Sequence, residues 1–305
     1  MKLCAVSVDL DEVHHYFAIH GLAVPPGVAS AAYDLALPRL GAYAEARGLP
    51  LTLFAVGEDL ARPESAAVLR ALVGRGHAVD NHSLSHRYDL TRLAPAEIAG
   101  EVEAGARAIE RATGERPAGF RAPGYTVSDA LFDALEDAGV AYDSSVFPCP
   151  PYYLAKAAAM AGMRLRGRTS RSILDTPRVL GAPTRPYRPG RPWHRRGGRR
   201  FVELPIQVTP GLRLPFIGTS VGLAGERGAR WLAARCAGEA FVNLELHAID
   251  FLDVSEGLGA LLPHQPELRV PVARRLAALD AALDVLARAG HAFVVLEEAA
   301  RALAP

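Results

Sequence analysis

The sequence predicts an α/β fold in which helices cover a parallel sheet. Short apolar runs alternate with longer stretches of helical pattern along the chain, the mark of strand–helix–strand units. Acids and histidines stand where the apolar runs end, at the edge where parallel sheets collect their chemistry. A length of 305 residues fits two ordinary domains or one large barrel. Hydrophobic residues make up 50% of the chain and charged residues 22%, which excludes a disordered chain and leaves enough apolar surface for a core. No self-similar period suggests a solenoid.

Residues 3–8 form an apolar run bounded by acids, a buried strand. Residues 28–47 are Ala-rich and helical, with Pro38 as a kink or break. Gly48 and Pro50 end them. A second strand spans 51–56, followed by a helix at 63–74 and a short strand at 77–81. The helix at 95–113 opens on Pro95 and Glu97 and stops at Gly114. Residues 119–121 are short and extended, 128–138 a helix ended by Gly139, and 140–142 a strand. After a long middle section, strands fall at 201–208, 241–247 and 292–296, with helices at 226–237 and 270–289 between them.

The middle section differs in charge. Residues 151–200 hold thirteen basic side chains against one acid, Asp175, a surplus of +12 that leaves −11 for the rest of a chain of net charge +1. Its second half, RPYRPGRPWHRRGGRR, is a loop by composition. Its first half combines Tyr152, Tyr153, Leu154, Met160, Met163 and Leu165 with flanking positive charge. That suits an anionic bilayer or the phosphates of a polyprenyl carrier, and equally a core helix before a solvated loop. No apolar run approaches the roughly 18 residues of a membrane span. Three scattered cysteines make neither a disulfide framework nor a Cys-based zinc site. The opening MKLCAVSVDL reads as a strand, because Asp9 and Asp11 interrupt it at once. A cytoplasmic protein is therefore expected.

Three groups carry chemistry. Asp9 and Asp11 share a face if the first strand continues, and two like charges that close need a cation or an arginine. A solvated loop explains them equally well. His82 and His86 lie four apart, on one face of a helical turn, and can share a metal ion. Surface histidines also show this spacing. With one aspartate they make a His₂Asp set that suits zinc or a similar divalent ion. Arg121, in GFRAPGY, can neutralise one of the aspartates. His247, in NLELHAID, ends an apolar strand where a buried imidazole has a tunable pKa; a hydrogen-bonded core histidine is the plain alternative.

VDLD, HSLSH, FRAPGY and LELH, in this order, resemble the polysaccharide deacetylase (NodB-homology) family, carbohydrate esterase family 4. Residues 142–145 (YDSS) and 203–205 (ELP) resemble it too. The resemblance implies a distorted (β/α)7 barrel, with 1–305 as one catalytic domain carrying a basic insertion at about 151–200. It implies Asp9 as general base, and Asp11, His82 and His86 as ligands of a divalent metal, zinc before cobalt, nickel or manganese. Arg121 would orient and charge-balance Asp9, and His247 would be the general acid. Leu10 separates two aspartates that are most often adjacent in the family. Gly124 stands where the family often has an aromatic residue; its N–H is a candidate oxyanion donor and Tyr125 a candidate replacement ring. His14, His15, Tyr16 and His20 are candidates for the substrate cleft, and Asp250 for keeping His247 charged. His264 is expected at the surface.

The implied reaction removes an acetyl or formyl group from the nitrogen of an amino sugar. A soluble or lipid-linked sugar fits a cytoplasmic enzyme, peripheral at the inner membrane face. Two other readings keep the fold: an amidohydrolase for a small non-sugar amide or ureide, and a non-catalytic glycan-binding homologue. Nucleic-acid binding is disfavoured, because the basic segment carries Tyr187 and Trp193 but no recognised motif, and the remainder is acidic.

Overall fold

A computed structural model describes residues 1–165 and 173–304. Among them are eight strands: β1 Lys2–Asp9, β2 Leu51–Ala55, β3 Ala78–Asn81, β4 Gly119–Phe120, β5 Tyr142–Asp143, β6 Val202–Glu203, β7 Phe241–His247 and β8 His291–Phe293. They form one sheet in the order β6-β5-β4-β3-β2-β1-β7, with β8 also on β1. Every pairing is parallel. The expected α/β barrel-type sheet is present, with eight strands rather than about seven. β8, expected at 292–296, falls at His291–Phe293. It pairs with residues 2–4 of β1, while β2 pairs with residues 6–9. The two end strands are stitched without pairing: Gln207 N–H donates to Asn243 O at 3.1 Å and Asn243 Nδ2 to Leu204 O at 3.0 Å.

Nine helices are described: α1 Val13–Ile19, α2 Leu37–Arg47, α3 Pro63–Val73, α4 Pro95–Thr113, α5 Asp129–Ala138, α6 Pro150–Leu165, α7 Gly218–Cys236, α8 Val272–Arg288 and α9 Leu296–Leu303. Sequence patterning misses α1 and α9. The first is short and is fixed by Glu12, whose buried carboxylate accepts the N–H groups of Val13 and Ala32, both at 2.8 Å. A π-helical stretch, Ala32–Ala36, leads into α2. Pro38 falls in the first turn of α2, where a missing N–H costs nothing. The strand expected at 201–208 shrinks to β6, since Pro205 lacks the donor that would continue it. α7 starts before residue 226 and bends at Gly225, whose φ is 62°.

Apolar clusters join the sheet to its helices. Val6, Leu53, Leu244, Leu37 and Leu283 are buried where β1, β2 and β7 meet the helices. Ile98, Val102, Phe132, Leu135, Trp193 and Phe201 join α4 and α5 to the basic segment. That segment is not a solvated loop. Tyr187 and Trp193 are core residues, with no face for a nucleic-acid base. Arg199 is 6% exposed and meets Asp133 at 2.8 Å and Glu136 at 3.2 Å on α5. Arg191 pairs with Asp133, Arg200 with Glu136 and Arg185 with Glu239. Among the described residues four of the thirteen basic side chains thus pair with acids elsewhere in the chain, and of these Arg199 is the buried one. Arg166, Arg168 and Arg171 lie outside the described residues.

Candidate active site

β1 ends on Asp9, and β7 ends on His247 in register with it. Asn81 of β3 pairs with Phe120 of β4, so His82 and Arg121 follow at the same sheet edge. Backbone register alone delivers these four side chains to one place.

The two aspartates then part. Asp9 is buried and accepts from Arg121 Nη1 at 2.7 Å. Arg121 is fully buried, and its remaining N–H groups donate to Ser7 Oγ, Ser144 Oγ and Ser144 O at 2.8–2.9 Å. Its guanidinium lies over the Phe54 ring, 4.2 Å from the centre. Burial works against its charge, but the Asp9 and Glu245 carboxylates outweigh burial and raise its pKa. Behind it, Asp143 and Glu203 are buried acids pushed above the usual carboxylate range by desolvation. Asp143 accepts from Ser145 Oγ at 2.8 Å and Glu203 from Val146 N–H at 3.0 Å. These bonds fix the Ser144 segment that holds Arg121.

Asp11 instead faces the imidazoles. Its Oδ1 is 3.2 Å from His82 Nε2 and 3.1 Å from His86 Nε2. Donor atoms of Asp11, His82 and His86 all lie within 4.8 Å of one another. Burial opposes charge on Asp11, yet His86 and His82 hold its carboxyl well below the usual range. Burial pushes His86 down to about 4, so its imidazole is neutral with a lone pair to give. His82 Nδ1 lies 2.8 Å from Arg121 O, and a proton shared there turns the Nε2 lone pair toward Asp11. Asp11 Oδ1 and His86 Nε2 are buried without a hydrogen-bond partner among the described residues. A carboxylate oxygen and two imidazole nitrogens converging in a buried site are the donor set of a cation, and His₂Asp leaves positions open for water and substrate. The residues fit a divalent metal.

The His82–His86 segment is not the expected helical turn. Ser83 and His86 have φ of 69° and 52°, left-handed conformations that cost about 1–2 kcal/mol each. α4 holds them. Ser85 donates from N and Oγ to Glu101 at 3.0 and 2.7 Å, and Asn81 Nδ2 donates to Val102 O at 2.8 Å. Gly105 permits this approach: a Cβ there would sit 2.4 Å from Asn81 Oδ1 and 2.8 Å from Ser83 C.

His247 Nδ1 lies 2.9 Å from Glu245 Oε1, and Glu245 is fully buried. Burial would lower the His247 pKa, but the Glu245 charge outweighs it and holds the imidazole well above its usual value. Glu245 is absent from the sequence reading, although the two-residue period of a strand places it on the face of His247. Asp250 does not meet the ring: its carboxylate accepts the His247 backbone N–H at 2.9 Å. The Tyr125 hydroxyl reaches His247 Nε2 at 3.2 Å.

A cleft of about 320 Å³ is lined by Asp9, Asp11, His82, Gly124, Tyr125 and His247. His14 and His15 do not line it. They turn to Asp59, at 3.7 and 3.3 Å, and His15 packs on the ring of His86. Tyr16 and His20 line the cleft instead, and so does His264, stacked 3.8 Å from His20 rather than left at the surface. One face of α6 forms the wall with Tyr152, Lys156, Ala159, Met160 and Met163. No residue of that helix is buried, so it is not a core helix. Gly124 has φ of 64°, and a Cβ there would come 2.9 Å from the Tyr88 ring. The ring near His247 comes from Tyr125.

Residues 32–142 match the family model for polysaccharide deacetylase. That span holds His82, His86, Arg121 and Gly124; Asp9, Asp11 and His247 lie outside it. The chain is similar to the chitooligosaccharide deacetylase of Bradyrhizobium sp. (strain ANU 289), 37% identical over 103 residues. The match covers 33% of this chain and 45% of that protein, so the chain spans less than half the length of this curated relative. Among solved structures it is similar to Puue allantoinase, with a TM-score of 0.61 and 16% identity over 98% of this chain and 89% of that one. It is also similar to a Mycobacterium smegmatis protein assigned as a polysaccharide deacetylase, with a TM-score of 0.59 and 18% identity over 99% and 91%. At these identities the structural likeness is one of fold.

Proposed function

We propose that this chain is a polysaccharide deacetylase relative, as the match of residues 32–142 suggests, and that it is a metal-dependent hydrolase removing an N-acyl group, acetyl or formyl, from an amino sugar. The convergence of Asp11, His82 and His86 beside an arginine-held Asp9 carries this reading. A divalent ion held there, zinc before cobalt, nickel or manganese, supplies a Lewis acid and lowers the pKa of a bound water toward roughly 7.

The chain's own residues do the rest. Asp9, fixed by Arg121, accepts the proton of the attacking water. The Gly124 N–H is the candidate donor to the oxyanion, and one such donor contributes about 3 kcal/mol. His247, kept cationic by Glu245, gives its Nε2 proton to the departing amine. The Tyr125 hydroxyl orients that nitrogen.

The finer reading is a lipid-linked or glycolipid amino sugar. Tyr152, Met160 and Met163, with Ile19, Ile217 and Ile249, give the cleft an apolar side that suits an acyl or prenyl chain. Leu154 and Leu165 are 64% and 89% exposed on α6 near Arg164, which suits a cytoplasmic, peripheral seat on an anionic bilayer. No described helix is long and apolar enough to cross a membrane.

Metal analysis of the purified protein, joined to a screen for acetate and formate released from N-acyl amino sugars with and without a lipid carrier, tests the proposal. Stoichiometric metal and acyl release support it. A metal-loaded protein that binds glycans and releases neither acid is a binding homologue instead. Failure to float with anionic liposomes at low salt removes the membrane part alone.

A further inference from the structure

The cleft wall contains a cation for which the proposed chemistry has no use. Lys156 is the only lysine or arginine among the described residues that line the cleft. Its Nζ donates to Gly124 O at 3.2 Å, a neutral acceptor that leaves the charge uncompensated. The Tyr152 ring is 6.0 Å away. Among the described residues no carboxylate pairs with it. Asp175 acts from a greater distance, and burial pushes that carboxyl up to about 7, so it is a weak counter-charge at neutral pH. Burial brings Lys156 down to about 8, which keeps most of it protonated at pH 7.

Position gives the cation a meaning. Gly124 precedes Tyr125, whose hydroxyl touches the nitrogen proposed to protonate the leaving amine. Lys156 therefore lines the same cleft as the groups proposed to break the bond, next to the Gly124 loop. On a 2-acylamino sugar the neighbouring substituents are those on C1 and C3. Resting on the deacylase reading above, we infer that Lys156 binds an anionic oxygen substituent beside the scissile amide, a C1 phosphate or a C3 ether carboxylate. The substrate class is then a charged N-acyl amino sugar. A lysine acts as a point charge and serves either anion, where a bidentate site for carboxylate would favour arginine. Partial burial strengthens the attraction relative to open water.

The test compares acetate release from N-acetylglucosamine, its 1-phosphate and N-acetylmuramic acid by the zinc-loaded wild type, Lys156→Met and Lys156→Arg. The wild type is expected to prefer one anionic sugar over the neutral one at least tenfold in kcat/KM, and the preferred sugar identifies the anion. Lys156→Met should cut that preference at least tenfold, through KM, and Lys156→Arg should restore most of it. Equal wild-type activity on all three sugars overturns the inference and leaves the deacylase reading standing. So does an equal loss on neutral and anionic sugars in Lys156→Met, the sign of a purely structural bond to Gly124. No release from any of the three overturns the inference, and no release from their lipid-linked forms either overturns the deacylase reading with it.

Discussion

Asp9 and Asp11 stand two residues apart with opposite surroundings, one facing a guanidinium and the other two imidazoles. Asp9→Asn is expected to keep stoichiometric metal and lose about 10²–10⁴-fold in turnover, whereas Asp11→Asn loses the metal. Elemental analysis of both variants checks this, and equal metal loss would make both aspartates ligands. Glu245 sets the pH range. His247 donates a proton only below its pKa, which the Glu245 charge raises. Glu245→Gln lowers that pKa, so the alkaline limb of the pH–rate profile should move to lower pH. An unmoved limb would show that another group controls it. The alternating aspartates and paired histidines were legible as chemistry in the sequence because residue type and spacing limit what they can do. Their division of labour came from the family resemblance and not from spacing, since it depends on Arg121, more than a hundred positions away. Glu245 was legible in principle from strand period, while His14 and His15 looked like cleft residues until Asp59 on another element drew them aside.

The His82–His86 loop depends on a helix that contributes no proposed ligand. Glu101 and Val102 of α4 accept three of its hydrogen bonds. Supports of this kind typically tune metal affinity by 10–100-fold. Glu101→Ala should weaken zinc binding by roughly that factor while the melting temperature falls little, as read by competition with a chelator. A full-strength site in that variant would separate α4 from loop geometry. Sequence spacing suggested a helical turn because His-x-x-x-His fits one. Left-handed φ at Ser83 and His86 leaves no local pattern, because packing against Gly105 imposes it from outside. α4 and β7 were readable to their ends, from a Pro start and a Gly stop in one case and an unbroken apolar run in the other. α1 and α9 are too short to show a period, and α1 owes its start to a carboxylate that also caps the turn at Ala32.

At the scale of the molecule, part of the basic surplus of the sequence is held in ion pairs within the chain. The basic segment folds onto acidic α5, and Arg199 is its most buried member. Arg199→Met should cost about 1.5–3 kcal/mol, the range for hydrogen bonds to charged groups, read as a lower urea midpoint with an unchanged slope. An unshifted midpoint would mean that the pairs are idle. Composition could report the surplus but not its partners, and Tyr187 and Trp193 show the same limit, since a loop-like string became core. The parallel α/β class was readable because strand and helix periods alternate, and the last strand was readable to within a few residues; that it takes up the lower half of β1 was not. The central claim is that one divalent ion sits between Asp11, His82 and His86 while Asp9 stands beside it as a base. An anomalous-difference map from crystals grown with zinc tests this most directly. One strong peak is expected about 2.0–2.2 Å from Asp11 Oδ1, His82 Nε2 and His86 Nε2. A map with no peak there, or with its peak among Asp9, Glu245 and His247, would contradict it.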